Sequence, residues 1–187
     1  MEQMEIARRL ERHYPDQVVE ICEFRQQVGV ITRREQIREM LGWLKSEHEI
    51  ALNHLMCLCG VDNLKRRTTS SLERFEVVYN LFSIEHGHEF RIRAQVPESD
   101  PSIDSVTSIW QGANWPEREC FDLMGITFND HPQMERVLLP QDWMGHPLRK
   151  EYPLRGQEEW SGFNELRQQV EELKQFDFYP DTSSAQD

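Results

Sequence analysis

The sequence predicts an α+β domain: a mostly antiparallel β-sheet with packed helices, followed by an extended, proline-containing C-terminal segment. Runs rich in β-branched and aromatic residues recur between positions 18 and 96, and stripes of helical period flank them. From position 126 onward that periodicity stops, and prolines recur at Pro132, Pro140, Pro147 and Pro153.

Residues 4–13 form the first predicted helix, with Ile6 and Leu10 inward and Arg8, Arg9, Glu11 and Arg12 outward. Residues 18–24 and 28–31 read as two strands of a hairpin turned by Arg25-Gln26-Gln27. Thr32 and Glu35 have the spacing of a capping box, and Ile37, Met40, Leu41 and Leu44 follow at i, i+3, i+4 and i+7 as one buried helical stripe. Residues 55–61 make an apolar strand, and 65–71 a polar loop. Residues 72–84 carry apolar side chains on both faces and belong inside a sheet. His86-Gly87 turns the chain into a strand where Phe90, Ile92, Ala94 and Val96 alternate with Glu89, Arg91, Arg93 and Gln95, so one face of it meets solvent or a partner.

Residues 97–101 break the sheet. Asp104 or Ser105 caps a short helix through Val106, Ile109 and Trp110. Asn114 and Glu117 make a second capping box for a helix that ends at Gly125 in the C′ position, with Arg118 and Asp122 as i, i+4 partners. The domain therefore occupies residues 1–125. Residues 126–155 form the extended segment, which satisfies few of its own backbone groups and is suited to lie along a partner. Residues 156–187 form an acidic tail with eight acidic and two basic residues, net −6, whose spacing over 163–176 is weakly helical and whose end, 182–187, has the composition of a disordered terminus.

Composition narrows the function. The chain has 187 residues, 38% of them hydrophobic, enough for one core and an appendage. A net charge of −12 argues against a nucleic-acid surface and against docking directly on anionic lipid. No apolar run reaches the roughly 20 residues that span a bilayer, and the first residues lack a secretory h-region, so no direct membrane insertion is expected. The four cysteines, Cys22, Cys57, Cys59 and Cys120, lack the close spacing of cluster ligands and read as buried structural thiols in a reducing compartment. No glycine-rich phosphate loop is present, so neither nicotinamide nor flavin binding is supported. His86-Gly87-His88 reads as a turn rather than a chelate, and no catalytic or metal-ligating set is expected.

The densest cluster of directional groups lies in 117–154. His131 and His146 each precede proline and read as imidazoles that fix turns, with no nucleophile at useful spacing. Glu117, Arg118 and Asp122 read as structural or interfacial charges. Asp142, Arg149, Lys150, Glu151 and Tyr152 surround Trp143 and Leu148 with charge of both signs, a composition common at binding hot spots. The expected partner interface is Glu117, Arg118, Asp122, His131, Arg136, Asp142, Trp143, His146, Arg149, Lys150 and Tyr152.

In register, Glu117-Arg118-Glu119, Asp122, Gly125-Ile126, Phe128, His131-Pro132, Leu139-Pro140, Asp142-Trp143, Gly145-His146-Pro147-Leu148-Arg149-Lys150 and Tyr152-Pro153 resemble the signature of one family. It is the 30-kilodalton subunit, or C subunit, of the proton-pumping NADH:quinone oxidoreductases (respiratory complex I). Two positions depart from it: Met124 replaces an aromatic residue and Asp130 a glycine. Met is a flexible apolar substitute, and Asp tolerates a left-handed turn. The resemblance implies a cofactor-free structural subunit of the peripheral arm, set against the large D subunit with B and I nearby. Iron–sulfur clusters and flavin are then expected in partner subunits. It further implies a peripheral location on the cytoplasmic side of the inner membrane, and a chain separate from D. The equivalent subunit of a membrane-bound energy-converting hydrogenase and a free-standing adaptor are the alternative readings.

Overall fold

The computed structural model describes residues 2–65, 72–154 and 162–173. Five strands form one sheet in the order β1-β2-β5-β4-β3: β1 Val18–Phe24, β2 Gln27–Thr32, β3 His54–Asp62, β4 Phe75–Phe82 and β5 Glu89–Val96. All neighbours are antiparallel except β2 and β5. Helices α1 (Gln3–His13), α2 (Ile37–Ser46) and α3 (Asn114–Met124) join it, and two short strands, β6 (Ser102–Asp104) and β7 (Thr127–Asn129), pair in parallel beside α3.

The pleat explains the layering. Phe75, Val77, Tyr79 and Leu81 of β4 stand opposite Val96, Ala94, Ile92 and Phe90 of β5. All are buried in a single core with Ile6 and Leu10 of α1, the predicted α2 stripe, and Cys120 and Met124 of α3. On the other face the polar partners bond one another. Arg93 grips Glu76 through both carboxylate oxygens at 2.8–3.0 Å, Gln95 donates to Glu76 at 2.9 Å, and Arg91 donates to Asn80 at 2.7 Å. β4 is the second strand from an edge, and its two-sided burial fits the expectation of an interior strand.

Gly60 of β3 shows how closely α3 sits. A Cβ there would lie 3.2 Å from Met124 Cγ and 3.6 Å from Cys120 Sγ, so helix and strand approach over a missing side chain. The β1–β2 hairpin turns on Arg25 and Gln26, both at positive φ, the geometry of a type I′ turn built without glycine.

Several expectations are corrected. Neither capping box forms. α2 begins at Ile37, after Gln36, and Thr32 ends strand β2 instead. Asn114 is already helical, and Glu117 turns into the domain to bond Val106. In place of a helix at 104–110 there is the end of β6, then a turn in which the Ser105 hydroxyl accepts from the Thr107 N–H at 3.2 Å. Cys57 and Cys59 are exposed, since they alternate onto the polar face, so the buried-thiol reading holds for Cys120 alone. Gly125 does close α3 in the left-handed conformation (φ 71°), and Asp130 adopts it too (φ 59°).

The compact unit runs through Tyr152, so 126–152 belongs with the domain rather than apart from it. The second unit, from Pro153, contains α4 (Phe163–Leu173), whose Phe163, Leu166, Val170 and Leu173 make an exposed apolar stripe. The predicted disordered end lies outside the described residues, as does most of the polar loop at 65–71.

Candidate functional site: the strap over helix α3

An α-helix leaves its last carbonyls without internal partners. The segment 131–152, here called the strap, supplies those partners for α3. His146 Nδ1 bonds the Asp122 carbonyl at 2.9 Å, the Leu148 N–H donates to the Leu123 carbonyl at 3.0 Å, and Arg149 Nε donates to the Met124 carbonyl at 2.8 Å. A guanidinium at this end also meets the negative pole of the helix. The Arg149 guanidinium then rests 5.2 Å above the Phe75 ring.

Asp122 holds the strap from the other side. One carboxylate oxygen accepts the N–H groups of Val137, Leu138 and Leu139 at 3.1, 2.8 and 2.9 Å, and the other accepts Arg136 at 2.7 Å. Burial alone would raise this acid's pKa. The donors of Leu139, Leu138, Val137 and Arg136 outweigh burial and hold the pKa below the usual carboxylate range. Arg136 also donates to the Trp143 carbonyl at 3.2 Å. The expected Arg118–Asp122 pair does not form. Arg118 lies over Trp115 and donates to the carbonyls of Glu135 and Arg136, because the strap runs between the two charges.

A second carboxylate pins the strap's end. Asp62, at the end of β3, accepts the Lys150 N–H at 2.9 Å and Arg74 at 3.1 and 3.3 Å. Burial opposes ionisation of Asp62, but Arg74 and the N–H groups of Lys150 and Leu64 prevail and lower its pKa. Arg74 also bonds Glu98 and Glu151 and stacks on Phe75. Neither Asp62 nor Arg74 stood out in the sequence: each is an ordinary charged residue near a strand end, and only the 77- and 88-residue returns of Glu151 and Lys150 reveal them.

The predicted interface residues therefore divide. Glu117 and Asp122 have no accessible surface, and the His131 side chain is equally covered. Arg118, Arg136, Trp143, His146, Arg149 and Tyr152 are half-buried, with their described bonds going to this chain, among them the Tyr152 hydroxyl to the Met144 carbonyl at 3.2 Å. Asp142 and Lys150 are exposed. Outside the eleven predicted interface residues, Leu138, Met144 and Leu148 are 61, 67 and 52% exposed; the sequence reading groups only Leu148 of these with Trp143. The four cysteines do not converge. Cys22 is on β1 at one sheet edge, Cys57 and Cys59 are on β3 at the other, and Cys120 is in the core.

The comparisons agree on one family. Residues 30–158 match the family model for the respiratory-chain NADH dehydrogenase 30-kDa subunit. The NADH-quinone oxidoreductase C subunit of Geobacter metallireducens is 45% identical over 148 residues, 79% of this chain and 88% of that protein. Among solved structures, a trypsin-resistant fragment (1–134) of Nqo5 matches with a TM-score of 0.60 and 31% identity, covering 71% of this chain and 99% of that one. A chain from the membrane-bound sulfane sulfur reductase, an archaeal respiratory membrane complex, matches at a TM-score of 0.60 and 18% identity over 98% of both chains, a likeness of fold alone.

Proposed function

The chain belongs to the 30-kDa subunit family of the respiratory-chain NADH dehydrogenases, and on that premise we propose that it is a cofactor-free structural subunit of a proton-translocating NADH:quinone oxidoreductase. It would dock chiefly on the large D subunit, with B and I nearby, and so be held on the cytoplasmic side of the membrane by its partners. Iron–sulfur clusters and flavin would reside in those partners. Among the described residues no helix is long and apolar enough to cross a membrane.

The observation that carries this reading is the strap. Arg136, His146, Arg149 and several of its backbone N–H groups bond α3 and Asp62 at the end of β3, while Leu138, Met144 and Leu148 stay exposed. Apolar side chains fixed outward on a pinned backbone suit a protein–protein interface, because little conformational freedom is lost on binding.

Leu148→Glu and Met144→Glu are expected to leave the folded chain intact, since both side chains already meet water, and to abolish co-purification of the other subunits from membranes. A variant that unfolds the chain, or that leaves the complex fully assembled, counts against the strap as the docking face. A cofactor-free chain also predicts that changing both Cys57 and Cys59 to Ala leaves every iron–sulfur signal of the assembled complex unchanged by electron paramagnetic resonance; loss of one signal would assign a cluster here.

A further inference from the structure

Strand β3 carries three sulfur-bearing side chains together on its outer face, and a β-bulge puts them there. Leu55 and Leu58 both pack against the core, which a regular two-residue alternation forbids for positions three apart. The pairing resolves this. Leu55 stands opposite Leu81 and Cys57 opposite Asn80, so Met56 is an extra residue, and Met56 and Cys57 share one partner position. Cys59 follows in regular alternation, opposite Val78. Met56, Cys57 and Cys59 are all exposed. Met56 and Cys57 line one hollow of about 240 Å³, with Asn80 and Arg91 beside them. Cys59 lies just beyond it, and its thiol meets that of Cys57 in a side-chain hydrogen bond.

These are soft donors, and what the face lacks selects among soft metals. Among the described residues no three of His, Cys, Asp and Glu converge. Structural zinc takes four such ligands in a tetrahedron, and an iron–sulfur cluster is held by four cysteines. Copper(I) is content with fewer, and it takes thioether sulfur as well as thiolate. Strand geometry also favours an ion over a disulfide. Residues two apart on a strand are roughly 6.6 Å apart at Cα, near the upper limit for an S–S bridge. Two metal–thiolate bonds of about 2.3 Å in line span about 4.6 Å between sulfurs.

We propose that Met56, Cys57 and Cys59 form a surface site for monovalent copper, with two thiolates as its principal ligands and the Met56 thioether as the third. Binding exchanges the two thiol protons for the ion and releases them to solvent, with no change of oxidation state. Two thiolates on one monovalent ion leave a negative charge. The Arg91 guanidinium, held by Asn80 at 2.7 Å, lies beside the hollow to offset it. The site is on the opposite side of the sheet from the core, uses no residue of the strap, and stands whether or not the strap docks.

The test is an anaerobic titration of the reduced full chain with copper(I) held by bicinchoninate, a chromogenic chelator. One ion per chain is expected to leave the chelator, and X-ray absorption should show sulfur neighbours around it. Cys57→Ala and Cys59→Ala should each weaken binding by roughly a hundredfold or more, and Met56→Leu by roughly tenfold, while Cys22→Ala changes nothing. The three ligand positions are exposed, so circular dichroism should report an unaltered fold in each variant. Copper(I) should also shield Cys57 and Cys59 from iodoacetamide, read by mass spectrometry, whereas zinc at the same concentration should not. Copper that stays with the chelator, binding that survives in the Cys57→Ala, Cys59→Ala double variant, or equal shielding by zinc overturns the site.

Discussion

Asp122→Ala is expected to set the strap free, at a cost of about 2–4 kcal/mol and with loss of assembly into the complex. The carboxylate accepts three backbone N–H groups and the Arg136 guanidinium, so its removal strands four donors at once. Breaking a buried, hydrogen-bonded ion pair typically costs about 3–5 kcal/mol, and each stranded donor roughly 1–3 kcal/mol if water cannot reach it. Here water can reach some of them. Asp122 has no accessible surface, but its cover is the strap itself, none of whose residues from 131 to 152 is fully buried. That places the expected loss in the lower part of the range. It also makes the loss local. Trypsin should cut the variant after Arg136 and Arg149 while the sheet survives, and the urea midpoint should move with little change in slope. Uncut strap in Asp122→Ala would show that the His146, Leu148 and Arg149 caps on α3 suffice by themselves. Acid should imitate the substitution. The folded pKa of Asp122 is depressed, so its contribution is complete above the ordinary carboxylate pKa and disappears as pH falls through the folded value. Asp122→Asn, which keeps an acceptor without the charge, should blunt this acid sensitivity.

The elements that repeat a local pattern were legible in the sequence. The α2 stripe, the alternation of β5 and the C′ glycine of α3 each follow from residues within a few positions of one another, and they appear as expected, except that Gln95 on the polar face of β5 is buried against Glu76. The misreadings share a cause. Thr32, Asn114 and Glu117 stand at capping-box spacing, yet spacing only offers a cap. Thr32 completes a strand paired with Ala94, and the Glu117 carboxylate finds the Val106 N–H, eleven residues back. Arg118 and Asp122 have helical pair spacing, but the strap gives each a better partner at a range that no window could see.

The strap is the most instructive case. Its charges lack local partners, and the sequence reading sent them to another protein. Four of them, His131, Arg136, His146 and Arg149, instead bond α3. His146 and Arg149 supply what the last turn of any helix lacks, and Asp122 supplies what an irregular backbone lacks. Those four build the platform, and the apolar residues between them, Leu138, Met144 and Leu148, stay exposed. A charged segment without helical or strand periodicity therefore has two possible destinations, a partner or the bare end of a helix in its own domain.

Gly125→Ala is expected to be as damaging as the loss of Asp122, for a different reason, and Gly87→Ala separates the two parts of the effect. Both glycines sit in the left-handed region, at φ 71° and 68°. Alanine in that conformation costs roughly 1–2 kcal/mol at either site. At Gly87 nothing lies within 4 Å of the added Cβ, so the backbone cost should be the whole effect. At Gly125 the Cβ would fall 2.5 Å from an Arg149 guanidinium nitrogen and 2.6 Å from His146 Nε2. Arg149 is itself bonded to the Met124 carbonyl and His146 to that of Asp122, so neither moves aside without uncapping α3. The steric part should add about 1–3 kcal/mol, as overpacking does in a filled site, and it should be accompanied by tryptic cleavage in the strap and failure to assemble. Urea midpoints for the two variants, measured side by side, give the steric part by difference. Equal losses would mean that His146 and Arg149 swing away freely, and the strap would then not be pinned through the end of α3.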